Sequence, residues 1–204
     1  MRILFCNIAQ MKYYKGIIPG KDEPQYGGDF VLQTGDAHEK YNFEAVTLDG
    51  DEVCLGFFET KSTNGSARNQ LHIEKIEGAR KADNQAEDVL VIWCAKRYDA
   101  SSVVVGWYKH ATVYRDYQEC TFDSGYQQFF NVLAKTEDCV LLPTSERTHQ
   151  WWAPRRRQTR SFGFGQANVW FAEEESAKPY IEKLVKLIDG YHGENWLYKD
   201  VDKE

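Results

Sequence analysis

One stretch constrains the fold more than any other. Val89–Ala95 reads VLVIWCA, an unbroken β-branched and aromatic run with charged residues on both sides. It is too short for a membrane span or a long helix, and its composition suits a strand buried on both faces. Such a strand needs neighbours in the same sheet. Val103–Tyr108 (VVVGWY) supplies one after a polar turn, and Thr112–Tyr114 extends it beyond a bend. Ile3–Ile8, Tyr41–Val46, Val53–Thr60, Cys139–Leu142 and Asn168–Phe171 read as further short strands, with the turn signal Asp49-Gly50 between the second and third. Leu71–Ile76 (LHIEKI) alternates strictly and predicts a half-buried strand. Pro19–Gly28, with two prolines and two adjacent glycines, predicts an exposed loop.

The one strong helical pattern comes last. Ile181, Leu184, Val185 and Ile188 form an apolar stripe, with Ser176 as N-cap, Pro179 in the first turn and Gly190 at the end. Many short strands and few helices predict a mostly β (α+β) fold, a small twisted or partly closed barrel with peripheral helices and one C-terminal amphipathic helix. The expected domain covers residues 1–190. Residues 191–204, polar and acidic apart from Trp196 and Leu197, read as a tail or the start of a linker.

Charge and targeting signals narrow the function. No apolar run approaches the roughly 20 residues that span a bilayer, and MRILFCNIAQ lacks the pattern of a secretory signal, so a cytoplasmic protein with no membrane partner is expected. The five cysteines are scattered and form no CxxC pair, which suits small buried hydrophobes. Net charge is −6, which excludes bulk coating of nucleic acid. The charge is uneven, however. Ser145–Arg160 holds five arginines and one acid, whereas Glu173–Glu204 holds nine acids and five lysines. A basic strip on an acidic body suits a positioned contact.

No phosphate-binding loop, serine-hydrolase elbow, zinc-protease motif or Cys/His zinc cluster occurs, so neither a cofactor nor a metal is expected. Asp51 with Glu59-Thr-Lys61 matches the spacing of a Mg²⁺-dependent nuclease site, in which carboxylates hold the ion and lysine orients water. A charged strand end explains the same residues, and the α/β alternation that normally carries the site is missing.

Aromatic residues reach 14% of the chain and gather in three places. One follows the first strand, Gln10-Met11-Lys12-Tyr13-Tyr14-Lys15-Gly16. Another spans Trp93 and Trp107-Tyr108-Lys109. The third is Trp151-Trp152-Ala153-Pro154-Arg155-Arg156-Arg157, leading into Gly163-Phe164-Gly165-Gln166-Ala167-Asn168. Core packing accounts for Trp93, Tyr114 and Phe171 without any function. Trp151-Trp152 lies in a loop beside three arginines, where rings suggest a contact.

The series ILFCNIAQMKYYKG, DVLVIWCAKR, VVVGWYKHATVYR, LLPTSERT and GFGQANVWFA resembles the N-terminal EVE-like domain of HNH-type modification-dependent restriction endonucleases. That domain is one of the PUA, EVE, YTH and SRA β-barrels, and the resemblance runs from about Met1 to Ile188. It implies a non-catalytic reader of double-stranded DNA that takes a flipped, modified cytosine of the 5-methyl or 5-hydroxymethyl class into a pocket. It also implies an HNH nuclease as covalent partner; these 204 residues contain no histidine-rich ββα-metal segment, so the chain reads as the specificity part or as a standalone reader. One departure is Gln10, where the family pattern places a tryptophan.

A flipped base needs flat walls, amides for its edge and cations for the backbone. The expected walls are Tyr13, Trp107 and Tyr108, and the expected edge readers are Gln10, Asn42 and Gln166. Lys12, Lys109, Arg155, Arg156 and Arg157 are expected on phosphates, with Trp151 or Trp152 at the rim or as a wedge. The alternatives are a reader of modified RNA bases, the small Mg²⁺-dependent nuclease above, and a protein-binding module anchored by Trp151-Trp152.

Overall fold

The computed structural model describes residues 1–26, 37–60, 70–122, 125, 127–157 and 161–201. Its eight strands are β1 (Ile3–Ile8), β2 (Ala45–Leu48), β3 (Asp51–Gly56), β4 (Gln85–Lys96), β5 (Ser102–Thr121), β6 (Gln127–Lys135), β7 (Cys139–Leu141) and β8 (Val169–Trp170). They form one sheet in the order β2-β3-β6-β5-β4-β1-β8, with β7 also on β5. The fold is mostly β, and among the described residues the sheet is not closed. Among the described strands only β1 and β4 pair in parallel, with Ile8 opposite Ala95.

β5 explains the shape. Its 20 residues would span roughly 65 Å if straight. Instead, successive stretches pair with β4, β7 and β6, with register breaks at Ala86/Val89 and Val113/Gln118. Bulges of this kind bend a strand and increase its twist. Gly106 sits where β7 crosses: a Cβ there would lie 2.3 Å from the Val140 carbonyl oxygen and 2.6 Å from the Phe43 ring. No other residue fits between those two neighbours.

Alternation sorts the core onto two faces. Leu4, Cys6 and Ile8 of β1 join Trp93, Tyr108, Tyr14, Phe43 and Phe58 on one side. Ile3 and Phe5 join Ile92, Trp107, Trp151 and Trp170 on the other, beneath Ile181, Leu184 and Ile188 of α1 (Lys178–Asp189). Each buried ring of this size contributes about 1.5–3 kcal/mol.

Several expectations change. Leu71–Ile76 is no strand: Ile73–Lys75 forms a 3-10 turn, pinned because Arg115 donates to Glu74 (2.7 Å) and to the Asp83 carbonyl (2.9 Å). The first turn of α1 has no side-chain cap; Ser176 lies in a preceding 3-10 turn and Ala177 takes the cap position. Residues 191–201 are not a loose tail. Trp196 stacks on Tyr13 at 5.2 Å, Asn195 accepts from the Leu141 amide, and Lys15 Nζ donates to the Lys199 carbonyl oxygen. No described helix is long and apolar enough to cross a membrane.

Candidate functional site

The segment leaving β1 is held by three charged side chains that spend their hydrogen bonds on its backbone. Glu39 accepts from the Ala9 amide at 2.8 Å. Asp22, 2% exposed, accepts from the amides of Lys12, Tyr13 and Tyr14 at 2.5, 2.7 and 3.2 Å. Arg147, also buried, donates to the carbonyls of Met11 and Lys12 at 2.6 and 2.7 Å and to that of Leu142 at 2.9 Å. The Tyr14 hydroxyl closes the loop onto the Ala9 carbonyl, and Tyr14 itself has φ +54°. Burying charge to fix one short loop is costly and marks a place where geometry matters.

Gln10 sits in the middle of this loop. Its backbone pairs with that of Gln25 (2.7 and 2.9 Å), yet its side-chain carbonyl oxygen is enclosed and accepts no hydrogen bond. A buried acceptor without a donor costs about 1–3 kcal/mol. Next to Gln25, the ring of Tyr26 is 48% exposed, with φ +56°. Burial raises the Glu39 carboxyl above the ordinary glutamate range; the Ala9 amide and His38 oppose this, and the Glu59 charge adds to it. Two acceptors therefore lie where β1 ends, and the exposed Tyr26 follows Gln25, the backbone partner of Gln10.

Arg155 bridges the same end of the sheet. Its guanidinium donates to Ser102 Oγ of β5 at 2.7 Å and to Asn7 Oδ1 of β1 at 2.9 Å, and burial lowers its proton affinity. Arg157 lies nearby and exposed. The Asn7 amide donates to the Asn168 carbonyl, which brings the Gly165-Gln166-Ala167 turn alongside. Gln166 and Arg156 meet there, on the wall of an open hollow of about 370 Å³ with Lys75, Trp170 and Glu174.

The expected aromatic pocket is absent from its expected place. Tyr13, Trp107 and Tyr108 are at most 1% exposed, and Trp107 lies on the face opposite the other two. Trp107 stacks on Trp151 at 5.3 Å with Tyr191 edge-on, and Tyr108 packs edge-on against Trp93 and Phe43. These rings fill one another's gaps, leaving no slot for a base. Asn42 reads no ligand either: its amide exchanges hydrogen bonds with the Phe57 backbone at 2.8 and 2.9 Å. Trp151 is core, and half-buried Trp152 lies against Tyr180.

Other expected phosphate contacts are already engaged. Lys109 pairs with Asp189 at 2.7 Å beside Met1 and Arg2, the end of β1 opposite to Gln10. Arg156 pairs with Glu174. Lys12 Nζ lies over the Tyr13 and Trp196 rings at 4.6 and 5.7 Å. The nuclease triad does not assemble: Asp51 starts β3 and pairs with Lys135, Glu59 lies past the far end of that strand, and Lys61 is outside the described residues, as is Arg160 of the basic strip. Five strand steps alone separate Asp51 from Gly56 by roughly 16 Å, too far for one ion. Among the described residues no cluster of three metal-ligating side chains occurs.

Sequence reasoning missed Asp22, Tyr26 and Glu39. Each becomes visible only when distant segments meet at β1; the lone local signal is a tyrosine within a Pro/Gly-rich loop. No family model, no curated protein and no solved structure matches the chain.

Proposed function

We propose that this chain is a non-catalytic reader of double-stranded DNA carrying a modified cytosine, and that the flipped base is read where β1 ends. The observation that carries the reading is the enclosed, unpartnered carbonyl oxygen of Gln10 in a loop fixed by Glu39, Asp22 and Arg147. An acceptor of this kind calls for a donor, and the exocyclic amino group of cytosine is one. The Tyr26 ring offers a stacking face, worth about 1–3 kcal/mol, which offsets the few kcal/mol of unstacking. Arg155 and Arg157 stand at the same end for phosphates, which position the duplex without reading sequence. The resemblance to EVE-like domains points the same way. On this reading the open, bent sheet is a PUA/EVE-like barrel, and the chain is the specificity module for an HNH-type nuclease.

Fluorescence anisotropy tests it with duplexes identical except for one 5-methyl- or 5-hydroxymethylcytosine. The modified duplex binds about tenfold more tightly than the plain one, and Gln10→Ala weakens binding of both, because the amino group it accepts from is common to them. Equal affinity for both duplexes counts against the proposal. Tighter binding of an RNA of the same sequence assigns the site to RNA instead.

A further inference from the structure

The hairpin joining β4 to β5 ends in a rigid tip, Arg97-Tyr98-Asp99-Ala100-Ser101. The Arg97 amide donates to the Ser101 carbonyl at 2.8 Å and the Ala100 amide to the Arg97 carbonyl at 3.1 Å. Asp99 accepts from both the amide and the hydroxyl of Ser101, at 2.9 and 2.5 Å. Ala100 takes φ +61° to make the turn. All of this holds up one side chain. Tyr98, 77% exposed, is the most exposed large hydrophobic residue among those described, with the Arg97 guanidinium 5.6 Å from its ring centre.

Its position in the fold gives the tip a partner. β1 and β4 run parallel, with Ile8 opposite Ala95, so Gln10 and Arg97 leave the sheet at the same end. Ser102, where β5 begins, also holds Arg155, which reaches across to Asn7 of β1. An exposed ring that follows Lys96 and Arg97 therefore stands at the same end of the sheet as Arg155 and the Gln10 loop. Trp151 and Trp152, the other candidates for a wedge, are packed against α1 and its surroundings.

We infer that the Arg97–Ser101 tip is the element that enters the duplex: Tyr98 stacks in the space vacated by the flipped nucleotide, and Arg97 contacts the adjoining phosphate. This rests on the proposed reading of a flipped base. Its chemistry needs no reaction, only a ring that is already ordered and wet. A preorganised tip loses little entropy on insertion.

The test uses the full chain and a duplex with one 5-methylcytosine and 2-aminopurine beside it, whose fluorescence rises on unstacking. Tyr98→Ala weakens binding about tenfold and suppresses the fluorescence rise, Tyr98→Phe keeps both, and Arg97→Ala lowers the salt slope by about one. If wild type prefers the modified duplex while Tyr98→Ala matches it in affinity and fluorescence, the tip inference falls and the reading of the base stands. If wild type binds neither duplex above the other, the reading falls and takes the inference with it. Thermal melts of Tyr98→Ala, unchanged because the ring touches little, separate lost contact from lost fold.

Discussion

Tyr98 and Tyr108 belong to the same hairpin and could hardly differ more. Tyr108 is fully buried, edge-on to Trp93 and Phe43; Tyr98 is 77% exposed. Register makes the difference. Tyr108 sits in the paired stretch opposite Val91, on the inward phase of β5, whereas Tyr98 lies in the turn beyond the last ladder pair, Lys96 with Ser102. An aromatic-rich motif on a paired strand supplies packing, and the same ring on a rigid turn is available to a ligand. The loop after β1 repeats the contrast: Tyr13 stacks inside on Trp196, while Tyr26 near Gln10 stays open.

Mutations can break or sharpen that contrast. The largest effect belongs to the closed side. Trp107→Ala opens a cavity beneath Trp151 and costs about 3–5 kcal/mol in chemical denaturation; a loss below about 1 kcal/mol would show that the ring lies in an opening after all. Arg147→Met strands three buried carbonyls and costs about 3 kcal/mol. It also loosens the Gln10 loop, so preference for modified DNA falls with stability. Tyr108→Phe changes stability by no more than about 1 kcal/mol, because its hydroxyl is buried with only thiol neighbours and no nitrogen or oxygen partner. DNA binding by that variant equals wild type.

Glu39 gives a pH-dependent prediction. Its folded-state value is raised by burial, so its favourable contribution is complete below the ordinary value of 4.5 and is lost as pH rises through the folded value. Glu39→Gln, which can still accept from the Ala9 amide, raises the melting temperature at neutral pH by a few degrees and leaves it unchanged below pH 4.5. A melting temperature that falls at neutral pH would contradict this. Glu74 has the opposite sign: hydrogen bonds from His72 and Arg115 hold it down to about 2, so its stabilisation is present above 4.5 and disappears as pH falls toward 2. Smallest of all, Tyr98→Ala changes stability by less than about 0.5 kcal/mol.

Much of the frame was legible in the sequence. Continuous apolar runs placed β1, β4 and the first half of β5, and 3.6-residue spacing placed α1. β6 was not, because Gln128 and Asn131 occupy buried positions and hide its alternation; their amides serve the Leu55 and Phe58 carbonyls. Of the residues expected at the candidate site, Gln10 follows β1, and Arg155 bonds to its Asn7 with Arg157 nearby. Local composition misled elsewhere. Arg147 read as one of a basic strip, but burial and three carbonyls make it a tether. Tyr13, Trp107 and Tyr108 read as pocket walls because exposure depends on strand phase and on which segments return over them, and neither is written in a short motif. Asp22 and Glu39 act on β1 from loops that only the fold brings to it.

The most direct test of the central claim is an amide chemical-shift map of the isotope-labelled chain titrated with a duplex containing one modified cytosine. The account predicts the largest shifts at Ala9, Gln10, Gln25, Tyr26 and Glu39, with the indole signals of Trp93 and Trp107 unmoved. Shifts centred on those indoles, with the Gln10 loop silent, would contradict it.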